Sequence, residues 1–187
     1  MDEQVYQAAR AAIDAAHAAD PKKGEADYAD SIEHWIERLL PDPEPRTRLA
    51  ARCQHLERWA IPRSSFPAGR TPYLQWRIAV HERQGERAQE ILLAAGASTE
   101  DADVVAHAVA KHRPKEPLPQ ALEDAACLVF LEQQAADFIA GKDYDDDKVI
   151  TIVQRTWKKM SARAHELAHT IHMEGRLKEL VGKALAG

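Results

Sequence analysis

The sequence predicts an all-α protein of about seven to eight helices in a single domain over residues 1–187. Apolar residues recur at three- and four-residue spacing along most of the chain, which is typical of amphipathic helices. No stretch of useful length alternates apolar and polar residues as a β-strand would. Prolines and glycines fall between the periodic stretches, where helices begin and end. A chain of 187 residues has the size of one ordinary domain.

Four helices are predicted in the first half of the chain, over residues 3–19, 30–40, 45–59 and 71–95. Prolines 21, 41 and 62 end the first three, because proline cannot continue a helix. Residues 61–70 contain two prolines and a glycine and are predicted to form a loop. Thr71-Pro72 provides an N-cap and a first-turn proline for the fourth helix, and Gly96 provides its stop.

The second half begins with Ser98 and Asp101, which resemble a capping box and predict a helix to residue 112. A proline-rich linker follows at 113–119. Residues 120–140 are apolar on a wide face and predict a core helix that ends at Gly141. The acids at 145–147 favour a helix N-terminus, and helix continues from there with one break near Ser161.

Composition excludes several classes of protein. Two cysteines cannot build a disulfide framework or a four-cysteine zinc site, so reduced, cytoplasmic chemistry is the expectation. Four charged residues within the first fourteen argue against a signal peptide. The longest apolar run, Ala125 to Leu131, is seven residues and far too short to span a membrane. We therefore expect no membrane partner, and the sequence leaves the oligomeric state open.

The net charge of −5 conceals a strong segregation of charge. Residues 46–87 hold nine of the fifteen arginines and no lysine, and their net charge is +6. An arginine fork fits phosphate or carboxylate oxygens two at a time, so the block is a candidate anion site. The alternative interpretation is that several of these arginines pair with nearby acids on helix faces.

Three groups of side chains could carry chemistry on the predicted helices. His55 is predicted to share a face of the third helix with Arg48, Arg52 and Trp59, and His81 shares one with Arg77 four residues earlier. Glu123 and Asp124 precede an apolar run, and such acids ligate a metal ion, pair with an arginine or lie at the solvent-exposed edge of the helix.

The stretch that begins HERQGER at His81, together with LEDAACLVFL at 122–131, resembles HD-domain phosphohydrolases. That resemblance implies an all-helical fold with histidines and aspartates holding one or two metal ions that activate water against a phosphate ester. The matching positions are His55, His81, His112 and Asp124. Where the family carries its His-Asp dyad, the comparable stretch here reads YLQWR and ends in Trp76-Arg77.

A closer resemblance is to an uncharacterised bacterial and fungal family of domains of unknown function, numbered forty-two-oh-two. It is carried by RCQHLERWAIPR at 52–63, FPAGRTPYLQWR at 66–77, LEDAACLVFLE at 122–132 and RTWKKMS at 155–161, and IDAAHAADP at 13–21 also fits. The resemblance implies no particular reaction. It places these residues among the family-pattern positions: His55, Arg58, Arg63, Arg70, Arg77, His81, Glu123 and Asp124. The family-pattern base near His112 is Lys111.

The first functional hypothesis is a metal-dependent phosphohydrolase. His55, His81 and Asp124 would hold a divalent ion (iron, manganese, nickel or zinc), with Glu123 and Asp124 as catalytic carboxylates. The phosphate of the substrate would be held by arginines, which neutralise charge that develops on its oxygens. The arginines predicted for this role are Arg58, Arg63, Arg70 and Arg77.

The alternative hypothesis is a non-catalytic module, without a cofactor, that binds an anionic small molecule or a nucleotide. Arg77 occupies the position where a metal-binding dyad is expected. This favours the non-catalytic hypothesis, since a guanidinium can hold a phosphate but cannot ligate a metal. A third hypothesis is nucleic-acid binding through residues 46–87 and five C-terminal bases, and the acidic blocks argue against it. Those bases are Lys148, Arg155, Lys158, Lys159 and Arg163.

The spacing of His165, His169 and His172 puts the three on one helical face, as a metal cluster would require. No acid or cysteine completes that set, so a surface role is the simpler interpretation.

Overall fold

A computed structural model of the chain describes residues 1–112, 116–140 and 144–186. These residues form α-helices, short 3₁₀ and π turns and connecting loops, and no β-strand occurs among them. The all-α prediction is therefore confirmed. None of the helices in these ranges combines the length and the apolar character needed to cross a membrane.

The chain divides into two compact units, Met1–Leu122 and Glu123–Gly187, with the boundary inside helix α6. The prediction of one domain over 1–187 stays a prediction. The first unit contains α1 (Glu3–Ala18), α2 (Glu25–Leu39), α3 (Pro45–Arg52), α4 (Arg70–Ala94), α5 (Thr99–Val109) and the start of α6 (Pro117–Val129). Short 3₁₀ turns at Arg58–Ala60 and Arg63–Ser65 lie in the connection between α3 and α4.

The second unit continues α6 through a π-helical turn, Phe130–Gln134, into α7 (Ala135–Ala140). It then contains α8 (Asp146–Trp157), α9 (Ala162–Ala168) and α10 (Gly175–Ala186). Its core is made by apolar side chains of α7, α8 and α10, among them Ile139, Val149 and Leu180. Part of the predicted 113–119 linker and Gly141 lie outside the described residues.

Helix α2 begins five residues earlier than the sequence predicted, at Glu25 instead of Asp30. The reason is the buried carboxylate of Asp20, which accepts hydrogen bonds from the backbone N–H groups of Lys22, Gly24 and Glu25. These bonds fix the turn after α1 and satisfy N–H groups that would otherwise be unpaired at the helix start. Gly24 is the N-cap of the helix, but the apolar stripe on which the prediction rested begins later, so the sequence prediction missed this boundary.

Helix α3 ends at Arg52, seven residues before the predicted end at 59. His55 and Glu57 have left-handed backbone conformations, with φ of 61° and 48°, which no helix interior allows. The carbonyl of Arg52 lies 2.8 Å from His17 Nε2, which satisfies this helix-terminal acceptor. The prediction that His55 shares a helix face with Arg48, Arg52 and Trp59 is therefore wrong: His55 lies on a turn.

The starts and stops of α4 and α5 largely confirm the prediction. Helix α4 covers Arg70–Ala94 and is followed by Gly96 with φ of 92°, where the sequence placed its stop. Its N-cap is Gly69 and not Thr71. Ser98 caps α5 by accepting a 3.1 Å hydrogen bond from the Asp101 N–H, and the helix ends at Val109, three residues before the predicted end.

Helices α4 and α5 pack closely at Gly85 of α4. A Cβ atom at this position would lie 2.7 Å from the Ala106 carbonyl oxygen and 2.9 Å from the Ala110 Cβ. The lack of a side chain therefore allows the two backbones to approach one another.

We expect Gly85→Ala to lower the free energy of unfolding by up to about 2 kcal/mol. Alanine raises helix propensity by about 1 kcal/mol, but overpacking against a backbone carbonyl costs about 1–3 kcal/mol. Urea denaturation followed by circular dichroism measures the difference.

The matched control is Gly182→Ala in α10, where an added Cβ meets nothing within 4 Å. That variant should gain up to about 1 kcal/mol from helix propensity alone. A Gly85→Ala protein as stable as the Gly182→Ala protein would show that α4 and α5 can separate without cost.

Helices α8 and α9 begin at the acids and at the break that the sequence predicted. Asp145 accepts a 2.7 Å hydrogen bond from the Lys148 N–H at the start of α8. Ser161 accepts a 3.2 Å bond from the Ala164 N–H at the start of α9, which confirms the predicted break near Ser161. Both caps pair N–H groups that a helix start leaves without backbone partners.

The two cysteines are buried thiols outside any disulfide, one in each unit. Burial raises the pKa of the Cys53 thiol. Cys127 Sγ lies 3.8 Å from the Thr156 carbonyl oxygen.

Candidate functional site

The imidazole of His55 is held on three sides in the turn after α3. Its ring stacks on Tyr28 of α2, with centroids 3.7 Å apart and an interplanar angle of 9°. His55 Nδ1 lies 3.1 Å from Glu25 Oε2, and His55 Nε2 lies 2.8 Å from Arg58 Nη1. Left-handed backbone at a non-glycine residue costs free energy, and these contacts hold the turn in place.

These partners determine which ring nitrogen of His55 carries the proton. Arg58 is always protonated and can only donate, so Nε2 must accept its hydrogen bond. The proton therefore sits on Nδ1 and faces the Glu25 carboxylate. Desolvation lowers the pKa of His55, and the hydrogen bond to Glu25 opposes that change only in part. His55 is accordingly a neutral side chain that orients Arg58.

The guanidinium of Arg58 is positioned by a second contact. It lies over the ring of Trp76, 5.2 Å from the centroid, in a cation–π arrangement. Trp76 is buried in α4 and donates a 2.9 Å hydrogen bond to the Ile61 carbonyl, which fixes its ring. An arginine held between an imidazole acceptor and an aromatic face has little conformational freedom left to lose when it binds an anion.

His81 lies on α4 one turn after Arg77, as predicted, and both side chains are half-buried. Desolvation, together with the positive charges of Lys111, Arg77 and Arg58, lowers the pKa of His81 to about 4. The imidazole is therefore neutral at pH 7. Lys111 follows α5 with a left-handed backbone, φ 61°, and contributes its charge from that side.

We call these five basic residues the cationic cluster: His55, Arg58, Arg77, His81 and Lys111. Three elements of the first unit supply them, namely the turn after α3, the first half of α4 and the turn after α5. The positive charges of Arg58, Arg77 and Lys111 all act on His81, and like charges that lie near one another repel.

Most of the other arginines in the 46–87 block are paired with carboxylates. Arg83 and Arg87 contact Glu57, and Arg48 contacts Glu37. Arg46 contacts Glu44, and Arg52 lies among three acids of α1 and α2. Within the described ranges, no carboxylate lies within 4.0 Å of the Arg58 or Arg77 guanidinium. Five of the nine arginines in the block are thus ion-paired, and Arg63 and Arg70 share with Arg58 and Arg77 the lack of a carboxylate within 4.0 Å in the described part of the chain.

Arg63 and Arg70, the other two predicted anion-binding arginines, are placed differently. Arg63 donates to the carbonyls of Phe66 and Pro67 at 2.8 and 2.9 Å and lies over the ring of Tyr73, so it ties the 61–70 loop together. Arg70 is the exposed first residue of α4. The sequence could not separate these two from Arg58 and Arg77.

Glu123 and Asp124 belong to the second unit, where both contact the segment around the start of α9. Buried Asp124 accepts a 2.8 Å bond from the Ser161 N–H and a 2.5 Å bond from the Ser161 hydroxyl. Glu123 accepts a 2.9 Å bond from Lys159 Nζ. These contacts give both carboxylates a structural task that sequence spacing did not reveal.

The predicted metal ligands do not make a ligand set in this arrangement. His55 uses one ring nitrogen toward Glu25 and the other toward Arg58, so it has no lone pair to offer. Asp124 is occupied by Ser161 in the other unit. Over residues 1–112, 116–140 and 144–186, no group of three or more histidine, cysteine or acidic side chains could hold a metal ion.

The remaining histidines have local partners. His165 stacks on Trp157 with ring centroids 4.0 Å apart, and His169 meets the edge of the same ring. His172 pairs with Glu174, and His112 pairs with Glu82. The basic residue of this segment whose charge lowers the pKa of His81 is Lys111 and not His112.

A cleft of about 480 Å³ lies elsewhere in the first unit, between the α2–α3 connection, α5 and the start of α6. Leu40, Pro43 and Leu118 contribute apolar walls, and Arg46 and His107 contribute polar ones. None of the five cationic-cluster residues lines it.

Sequence reasoning missed Glu25 and Tyr28 altogether. Both lie on α2 before its predicted start at residue 30, and no pattern links them to His55, some thirty residues later. The left-handed residues of the turn that brings His55 to them are not glycines, so the sequence did not indicate this turn.

The helices define an all-α protein whose first unit contains the cationic cluster. The chain belongs to the family described as Domain of unknown function (DUF4202), whose model matches residues 7–181. That range includes every residue of the cationic cluster. Comparison with curated proteins gave no match, and comparison with solved structures gave none either.

Proposed function

We propose that this protein binds a small phosphorylated molecule at the cationic cluster, with Arg58 and Arg77 as the side chains that hold the phosphate. The observation that carries the proposal is that these two arginines have no carboxylate within 4.0 Å among the described residues, and that the charges of both act on His81. Arg63, by contrast, binds backbone carbonyls, and Arg70 is exposed at the start of α4. A phosphate would give Arg58 and Arg77 an anionic partner through charge-assisted hydrogen bonds.

The arrangement around Arg58 supports phosphate as the anion. His55 and Trp76 fix one edge and one face of the guanidinium, so its other N–H groups can donate in a fixed fork to two oxygens. Neutral His81 can donate a hydrogen bond to an oxygen or accept one from a ligand hydroxyl. None of these contacts requires a metal ion.

Calorimetric titration with inorganic phosphate and with pyrophosphate tests the proposal. The wild-type protein should bind at least one of them, and Arg77→Ala and Arg58→Ala should each weaken binding about 10- to 100-fold, as loss of a charge-assisted hydrogen bond predicts. Arg48→Ala makes the same change of charge on the exposed surface of α3 and should bind like wild type.

Two results would overturn the proposal. One is a wild-type protein that binds neither phosphate nor pyrophosphate, and the other is an Arg77→Ala protein that binds both as tightly as wild type. Elemental analysis of the purified protein addresses the competing hypothesis, a metal-dependent phosphohydrolase of the HD kind. Two results together would favour the phosphohydrolase over our proposal. The wild-type protein would contain stoichiometric metal that Asp124→Ala lacks, and it would release phosphate from a phosphoester.

A further inference from the structure

Helix α4 is much longer than the helix that covers it. It has 25 residues against the 11 of α5, and α5 runs back along it from the Gly96 turn. The close contact of Gly85 with Ala106 and Ala110 lies at the C-terminal end of α5. The first three turns of α4, residues 70–81, therefore extend past the end of α5.

The apolar stripe of α4 continues into this extension. Leu74 lies on the same side of the helix as Gly85 and Leu92, which are 11 and 18 residues further along and buried. Yet Leu74 is 47% exposed and Ile78 is 61% exposed. Three of the four large hydrophobic side chains exposed in the described ranges lie within this one segment, the third being Tyr73.

The exposed stripe also carries two members of the cationic cluster. Arg77 and His81 follow Leu74 by three and seven residues, so all three side chains leave the same face of α4, with Ile78 beside them. Exposed apolar side chains grouped at one place, next to an arginine with no carboxylate within 4.0 Å among the described residues, are typical of a binding site and not of an ordinary surface.

We propose that the phosphorylated ligand carries an apolar body next to its phosphate, and that this body packs on Leu74 and Ile78. This inference rests on the proposed function and specifies its ligand class, a phosphate monoester with an aromatic or aliphatic group. Charge argues against a second copy of the chain as the occupant, because a two-fold contact on this face would bring the Arg77 side chains of both copies together.

Titration with two phosphate monoesters of equal charge tests the inference, phenyl phosphate with an apolar body and glycerol phosphate with a polar one. At pH 8 both are dianions. Phenyl phosphate should bind about tenfold more tightly or better, because it removes the leucine and isoleucine surface from water. The double variant Leu74→Ser/Ile78→Ser should abolish that preference and leave the affinity for glycerol phosphate unchanged.

The matched control is Leu93→Ser, at a leucine of the same helix that is 44% exposed but lies away from the cluster. It should keep the preference for phenyl phosphate. Equal affinities of the wild-type protein for both esters would overturn this inference and leave the proposed function intact, whereas failure of both esters to bind would overturn the two together. A wild-type dimer that becomes monomeric in the double variant would assign the stripe to a second copy instead.

Discussion

Replacement of Arg52 by alanine should lower the free energy of unfolding by about 2–4 kcal/mol. Arg52 is 7% exposed and its guanidinium contacts Asp14, Asp30 and Glu33. It therefore joins α3 to α1 and α2. Without Arg52, the Glu33 carboxylate keeps one arginine partner, Arg10. This is costly because Glu33 is partly buried, and desolvation already raises the pKa of its carboxyl group.

Urea denaturation at pH 7 measures this loss, with Arg48→Ala as the matched control. Arg48 lies one turn earlier on α3, and its partner Glu37 is largely exposed, so that variant should lose no more than about 1 kcal/mol. Equal stability of the two variants would mean that α1, α2 and α3 are held by apolar packing alone.

Asp124→Ala should lower the free energy of unfolding by about 2–4 kcal/mol. The carboxylate is 3% exposed and accepts hydrogen bonds from both the N–H and the hydroxyl of Ser161, the residue that caps α9. Without it, two donors lose their charged acceptor, and each is costly to leave unpaired away from water.

Asp124→Asn retains an acceptor for the Ser161 N–H and should lose only about half as much. Glu123→Ala, which removes a partly exposed pair with Lys159, should lose no more than about 1 kcal/mol. Thermal and urea denaturation of the three variants compare these losses. An Asp124→Ala protein as stable as wild type would show that the carboxylate is free for chemistry, as the sequence led us to expect.

Helix content could be predicted from the sequence because local rules decide it here. Ser98 caps α5 as expected, α8 and α9 begin at the predicted acids and the predicted break, and Gly96 stops α4. The end of α3 could not be predicted. It depends on His17, 35 residues earlier, which meets the Arg52 carbonyl, and local propensity contains no such information.

The candidate site could be predicted only in part. Arg77 and His81 lie on one regular helix, so spacing alone placed them together. Arg58 and Lys111 reach the same place from turns whose left-handed residues are not glycines, and Glu25 comes from an unpredicted helix start. Tertiary contacts determine which arginines of the block are ion-paired, and composition contains no information about those contacts.

The buried cysteines provide an intrinsic measurement of how the two units open. Thiolate is the reactive form of cysteine, and a buried thiol reacts with an alkylating reagent only after the surrounding structure has opened. Cys53 lies in the first unit and Cys127 in the second. Mass spectrometry of the two peptides during slow alkylation therefore gives a separate opening rate for each unit of the native chain. Equal rates would indicate that both units unfold in one cooperative event.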